Sequence, residues 1–184
     1  MKKFLKLSVL SVLLLGFTQV INAQEVSYNK GDLDLNLGVG LTTGLGFTPV
    51  YFGANYMIMD FLSVGAEVGY RYDRQKFYTY YSGWGDYSYT RSGFVFLTRG
   101  DYHFNELINA PTKFDVYAGI DLGMGFFGDY KYEDVSYSSS NFYFLGGPHV
   151  GGRWLFKESF GLNFQTGFRT NDGYNLQFGL TFKL

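Results

Sequence analysis

The stretch "NLQFGLTFKL" (Asn175–Leu184) closes the sequence. Leu176, Phe178, Leu180, Phe182 and Leu184 are apolar, and small or polar residues fill most of the alternate places. A period of two belongs to a β-strand, whose successive side chains point to opposite faces. The pattern persists to the last residue, so the sequence stops in mid-strand with no polar tail. Such a strand calls for a partner edge and a nonpolar surround.

The same period recurs through the sequence. Asp32–Leu41 places Leu33, Leu35, Leu37, Val39 and Leu41 opposite Asp32, Asp34, Asn36, Gly38 and Gly40. Leu62–Tyr72 sets Leu62, Val64, Ala66, Val68, Tyr70 and Tyr72 against Ser63, Gly65, Glu67, Gly69 and Arg71. Lys113–Phe126 and Phe160–Arg169 repeat the pattern, and Val50–Ile58, Ser92–Phe104 and Phe142–Phe156 carry it less cleanly. With the closing stretch these make eight strands of about ten residues. Pro148 falls within the last of the less regular segments and has no N–H for a ladder, so a bulge or break is expected there. The connections alternate: Met59–Asp60 and Lys157–Glu158 are tight and Asn105–Thr112 is moderate. Arg74–Thr90 and Phe127–Asn141 are long, while Thr42–Thr48 and Thr170–Gly173 are short.

The opening residues, "MKKFLKLSVLSVLLLGFTQVINAQ", have three lysines, an apolar run from Leu7 to Phe17 and a small residue at Ala23. That is the order of a secretory signal peptide over residues 1–23, with a single domain over residues 24–184. The apolar run is short of the roughly 20 residues a membrane-spanning helix needs. Without the leader, 12 Lys and Arg face 16 Asp and Glu. A mildly acidic exported domain lacks the basic face that nucleic acid requires. Cysteine is absent, so stability must come from something other than disulfides. The 25 glycines disfavour helix interiors, and the 20 Phe and 17 Tyr favour strands.

Eight alternating strands can form a soluble barrel around an apolar core or a membrane barrel with its apolar face outward. The polar face decides. It carries Glu67, Arg71, Arg99, Asp101, Asp115, Asp121, His149, Arg153 and Arg169 together with repeated glycine. Glycine eases crowding inside a narrow barrel but only weakens a water-facing strand. The apolar face is banded. Tyr70, Tyr72, Phe94, Phe126, Phe142, Phe144, Phe168 and Tyr174 lie toward the long loops, and Tyr102, Phe104, Phe114, Trp154, Phe156, Phe160 and Phe182 toward the tight turns. Aliphatic residues are expected between them, as two aromatic girdles at two membrane interfaces require. Closure of the last strand on the first would then leave no edge unpaired in lipid.

Gln177, Gly179, Phe182 and Leu184 have the spacing of the C-terminal assembly signal of bacterial outer-membrane proteins, with Leu at the final place where Phe is commonest. By strand count, loop alternation and termini the sequence resembles the OmpA/OmpX-type small outer-membrane barrels. The resemblance implies an eight-stranded antiparallel up-and-down barrel with both termini in the periplasm and the long loops outside. It also implies outer-membrane lipid and the barrel assembly machinery as partners, and no peptidoglycan-binding domain is added in this chain.

No enzymatic motif stands out. The two histidines, His103 and His149, have no serine or acid at a spacing known from barrel acylases or deacylases, although triads assemble in space. His149, inward and among polar residues, is expected to be a satisfied interior histidine, and His103 is expected near the periplasmic end of its strand. Two histidines without cysteine form no evident metal shell, and no cofactor is expected. The interior charges are near balanced and are expected to form an ion-paired plug, with Glu67 or Asp121 bound by Arg99, Arg71 or Arg153. The remaining candidate is the pair of long loops. Tyr80, Tyr81, Trp84, Tyr87, Tyr89, Tyr132 and Tyr137 would supply rigid aromatic contact area on a sheet rising above one rim. The expected role is a non-enzymatic barrel binding an extracellular or envelope protein through that sheet. A structural envelope barrel or accessory subunit is the alternative, and a lipid-modifying enzyme the least favoured reading.

Overall fold

The computed structural model describes residues 28–44, 47–77, 87–132, 135–137 and 141–184; for Pro49 and residues 75–77, 87–89, 130–132, 135–137 and 141 it describes the backbone alone. The signal segment lies outside the described residues. Among the described residues ten strands are formed: β1 (Leu33–Thr42), β2 (Phe47–Met59), β3 (Leu62–Phe77), β4 (Tyr87–His103), β5 (Phe114–Phe127), β6 (Tyr130–Tyr132), β7 (Val135–Tyr137), β8 (Asn141–Lys157), β9 (Phe160–Arg169) and β10 (Gly173–Lys183). Eight of them close an antiparallel barrel in the order β3-β2-β1-β10-β9-β8-β5-β4, with β4 returning to β3. The short β6–β7 hairpin attaches to the side of β4.

The closing ladder explains the last ten residues. β10 pairs with β1 from Asp34↔Lys183 to Thr42↔Asn175. Beyond it the Leu184 N–H still donates to the Leu33 carbonyl at 2.8 Å. The final strand is therefore paired on both sides, with β1 and with β9.

The structure corrects three expectations. The strands flanking the long loops exceed ten residues; β3 has 16, and β4 and β8 have 17 each. Alternation running on into both loops accounts for the extra length. The loop between β5 and β8 contains the β6–β7 hairpin, which the period-two count had missed because each arm is three residues. Pro148 makes no bulge. It pairs with Ile120 in an unbroken β5–β8 register, and pairing with β9 begins one residue later, at His149. Register shifts occur instead at Gly38/Gly40, Phe47/Val50, Met57/Met59 and Leu155/Lys157.

The apolar face points outward. Ile120, Phe142 and Phe144 are each 59% exposed, and the outward positions of neighbouring strands are similarly open. Both girdles are built from ring contacts, successive in one and in separate pairs in the other. One runs Phe114–Trp154, Trp154–Phe156, Phe156–Phe160 and Phe160–Phe182, with centroids 5.0–6.2 Å apart. The other includes Tyr70–Phe94 at 5.5 Å, Phe126–Phe142 at 5.2 Å and Phe168–Tyr174 at 5.5 Å. The belt between them is not purely aliphatic, because Phe164 and Phe178 contact each other at 4.9 Å midway along β9 and β10.

Glycine makes room inside at specific points. A Cβ on Gly151 would strike the Tyr117 ring, and one on Gly119 would strike Asp101 and the edge of His149. The turn before β10 needs a left-handed backbone at Asn171 (φ 61°) and Gly173 (φ 72°), residue types that tolerate it.

Candidate functional site

Every interior residue expected from the sequence points inward and is buried: Glu67, Arg71, Arg99, Asp101, Asp115, Asp121, His149, Arg153 and Arg169. Two of the expected pairings form, Arg99 with Glu67 at 3.4 Å and with Asp121 at 3.3 Å. Asp121 is the hub. Its carboxylate also accepts from Arg169 Nε at 2.8 Å and lies 3.2 Å from His149 Nδ1. The other His149 nitrogen is 2.8 Å from Asp101, which in turn accepts from Asn55 at 2.7 Å. His149 thus lies between two carboxylates, hydrogen-bonded to Asp101 through Nε2.

Two expected pairings do not form. Arg71 binds Asp172, in the turn between β9 and β10, at 2.7 Å. Arg153 binds Asp115 and lies 3.6 Å from Asp34. Asp172 was not anticipated because it belongs to a turn, where period-two reasoning assigns no face. The Asp73–Arg91 pair, at 3.3 Å, was likewise not anticipated, because both residues fall just beyond the strand segments Leu62–Tyr72 and Ser92–Phe104.

The inward face also holds apolar side chains that alternation had not revealed. Val95, Leu97, Phe127 and Leu145 form one buried cluster, with Tyr143 against it. Tyr28, Met57 and Leu155 form a second. Val95, Leu97, Met57, Leu145 and Leu155 share their inward faces with polar or glycine positions such as Arg99, Asn55, Gly147 and Arg153, which the polar count picked out instead. The bore is thus filled partly by ion pairs and partly by hydrocarbon.

At the tight-turn end the fold assembles a trio from three adjacent strands. His103, on β4, has Nδ1 2.7 Å from Asp115 Oδ1 on β5 and Nε2 3.0 Å from Ser63 Oγ on β3. Nucleophile, base and orienting acid stand in the order of a Ser-His-Asp relay. The sequence concealed it because Ser63 lies 40 residues before His103 and Asp115 lies 12 after. His149, expected as an interior histidine, is buried against Asp101 and Asp121, and His103 lies at the strand end where it was expected. Tyr28 stacks on His103 at 5.9 Å, with the Lys183 ammonium 4.9 Å and the Arg153 guanidinium 5.7 Å from its ring. Burial, opposed by the Arg153 charge, pushes the Tyr28 phenol up. Among the described residues no three His, Cys, Asp or Glu side chains form a metal-holding group.

At the opposite end the β3–β4 ladder runs out to Phe77↔Tyr87, whereas β5 leaves β4 at Phe127↔Gly93. The vacated flank of β4 is taken by β6 through Tyr89↔Tyr132 and Thr90↔Lys131. β7 pairs with β6 and ends the sheet. Of the expected aromatic surface, Tyr87 and Tyr89 lie on β4, Tyr132 on β6 and Tyr137 on β7; Tyr80, Tyr81 and Trp84 lie outside the described residues.

The assembly-signal positions have roles in the finished barrel. Gln177 Nε2 donates to Glu67 at 2.7 Å, Gly179 lies against Gly38 of β1, and Phe182 packs on Phe160 at 5.0 Å. Leu184 is exposed and pairs through its backbone alone.

No protein-family model and no curated protein matches this chain. Solved structures do resemble it. The outer membrane protein OprG from Pseudomonas aeruginosa superposes with a TM-score of 0.65 at 10% identity, over 86% of this chain and 98% of that one. The N-terminal β-barrel domain of OprF from the same organism gives 0.58 at 10% identity, over 84% and 98%. Ail, the attachment invasion locus protein of Yersinia pestis, in complex with the heparin analogue sucrose octasulfate, gives 0.54 at 9% identity, over 84% and 99%. At such identities the likeness speaks to architecture. Combined with the outward apolar belt and the closed β1–β10 ladder, it establishes that this chain has the fold of the small eight-stranded outer-membrane β-barrels.

Proposed function

We propose that this protein is an outer-membrane barrel that binds an extracellular or envelope protein through the sheet β3-β4-β6-β7. The observation carrying this reading is the one-sided extension of that sheet past the end of β5, with β7 as its edge. A strand edge offers unpaired N–H and C=O groups to an incoming strand, and aromatic residues dominate interface energetics. Ail, one of the structural relatives, is named for attachment and invasion, which favours a surface-contact role. In this reading the termini and tight turns face the periplasm, as the OmpA/OmpX resemblance implies, and the four C-terminal positions address the assembly machinery before they pack. The role requires no chemistry at the sheet.

The test replaces residues 75–89 with a short Gly-Ser turn. The cut falls just beyond the Arg74↔Thr90 pair, so the barrel register below it is retained. The shortened protein should keep the gel shift on heating that marks a folded barrel and lose capture of host cells or of envelope partners. Unchanged capture in the same adhesion and pull-down assays would leave an envelope-integrity role in its place.

A further inference from the structure

We infer that Ser63, His103 and Asp115 form a hydrolytic site for small carboxylic esters at the tight-turn end of the lumen, closed in this structure by Tyr28. Asp115 accepts from His103 Nδ1 at 2.7 Å, which leaves Nε2 as the basic nitrogen, and Nε2 is the atom 3.0 Å from Ser63 Oγ. Asp115 is itself fixed by Arg153 from β8, so its orientation of the ring does not depend on His103.

The second observation is a cleft. A cavity of about 320 Å³ opens at this end between the segment before β1 and the β4–β5 turn. Tyr28, Phe61, His103, Asn105 and Phe114 are among its walls. His103 is thus shared by the cleft and the relay. Ser63 is fully buried, and the side chain stacked on its histidine is Tyr28, from outside the barrel strands. The Tyr28 hydroxyl is enclosed without a protein hydrogen-bond partner, so nothing polar at its tip secures the ring. Arg153 and Lys183 flank that ring at 5.7 and 4.9 Å. An ester group in its place would lie near both cations, which are themselves paired with Asp115 and Asp32.

The reaction balances with water alone. Ser63 Oγ bonds to the acyl carbon as its proton passes to His103 Nε2. The adduct collapses with cleavage of the carbon–oxygen bond to the leaving group, and that proton leaves on the departing alcohol. Water repeats the sequence on the acyl-serine, releasing the carboxylic acid and restoring the hydroxyl. Asp115 acts as a positioning residue.

This site stands apart from the sheet, at the opposite end of the barrel, so the two readings fail separately. The experiment uses the refolded full barrel in detergent, checked by its heat-dependent gel shift. A fluorophosphonate probe and p-nitrophenyl acetate are applied to the parent, Tyr28→Ala, Tyr28→Leu, and Tyr28→Ala combined with Ser63→Ala or His103→Gln. Probe attached to Ser63, located by peptide mass spectrometry, is expected in the Tyr28 variants well above the parent. It should vanish with Ser63→Ala and slow on the order of a hundredfold with His103→Gln. Folded Tyr28 variants without label on Ser63 would overturn the site. Equal labelling of parent and variants would overturn the closing role of Tyr28. Tyr28→Leu retains apolar bulk and keeps the test open should the alanine variant fail to fold.

Discussion

Neighbouring residues in this barrel answer to opposite solvents. Ile120 is 59% exposed on the outside of β5, and Asp121 beside it is fully buried. Asp121 holds Arg99 and Arg169 and lies against His149, so Asp121→Asn would leave two arginines short of a counter-charge. Removing one member of a buried ionic cluster costs about 3–5 kcal/mol. The variant should therefore lose its folded gel band at lower temperature or lower urea than the parent. At Ile120 the requirement inverts. An arginine facing mid-membrane lipid costs about 2–4 kcal/mol, so Ile120→Arg should destabilise the barrel in vesicles by that amount in urea titrations. Gly151 tests crowding in place of charge. Gly151→Leu would collide with Tyr117, and almost no folded band should form.

At the level of the strand, stability is a matter of closure. β10 is the only barrel strand after β9, and its ladder to β1 joins the two ends of the sheet. Deleting Phe182–Leu184 would remove the Phe182–Phe160 contact and the backbone bonds at Leu184. It would also expose ladder groups of β1 to lipid, where each costs several kcal/mol. Refolding into vesicles should fall sharply for this truncation, whereas the 75–89 replacement should refold like the parent. The contrast separates strands that close the barrel from strands that extend above it. It also bears on what could be read early. Long strands were legible because alternation accumulates with length. The three-residue arms β6 and β7 were not, since so few positions cannot establish a period.

For the molecule as a whole, the contents of the bore decide whether anything passes through. Ion pairs around Asp121 and the cluster of Val95, Leu97, Phe127 and Leu145 fill it between them. An eight-stranded barrel has an interior just wide enough for such side chains. Planar-bilayer recordings from the purified protein should therefore show no steady conductance. Reproducible channels would mean that this packing opens in lipid.

The barrel, its inward charges and its aromatic girdles were visible in the residue order, because all three follow from a two-residue period and that period is local. Arg99 and Asp121 could be placed inside from their own strands. Their pairing was among those expected, but the partners of Arg71 and Arg153 were not, because partnership depends on which strands become neighbours and on their register. Hence Arg71 was matched with the wrong acid until the β9–β10 turn brought Asp172 to it. The Ser63–His103–Asp115 relay depended still more on register: three strand ends had to come level before a hydroxyl, an imidazole and a carboxylate could meet. Period told which side of the wall each residue would face, and only the closed sheet decided which side chains would touch.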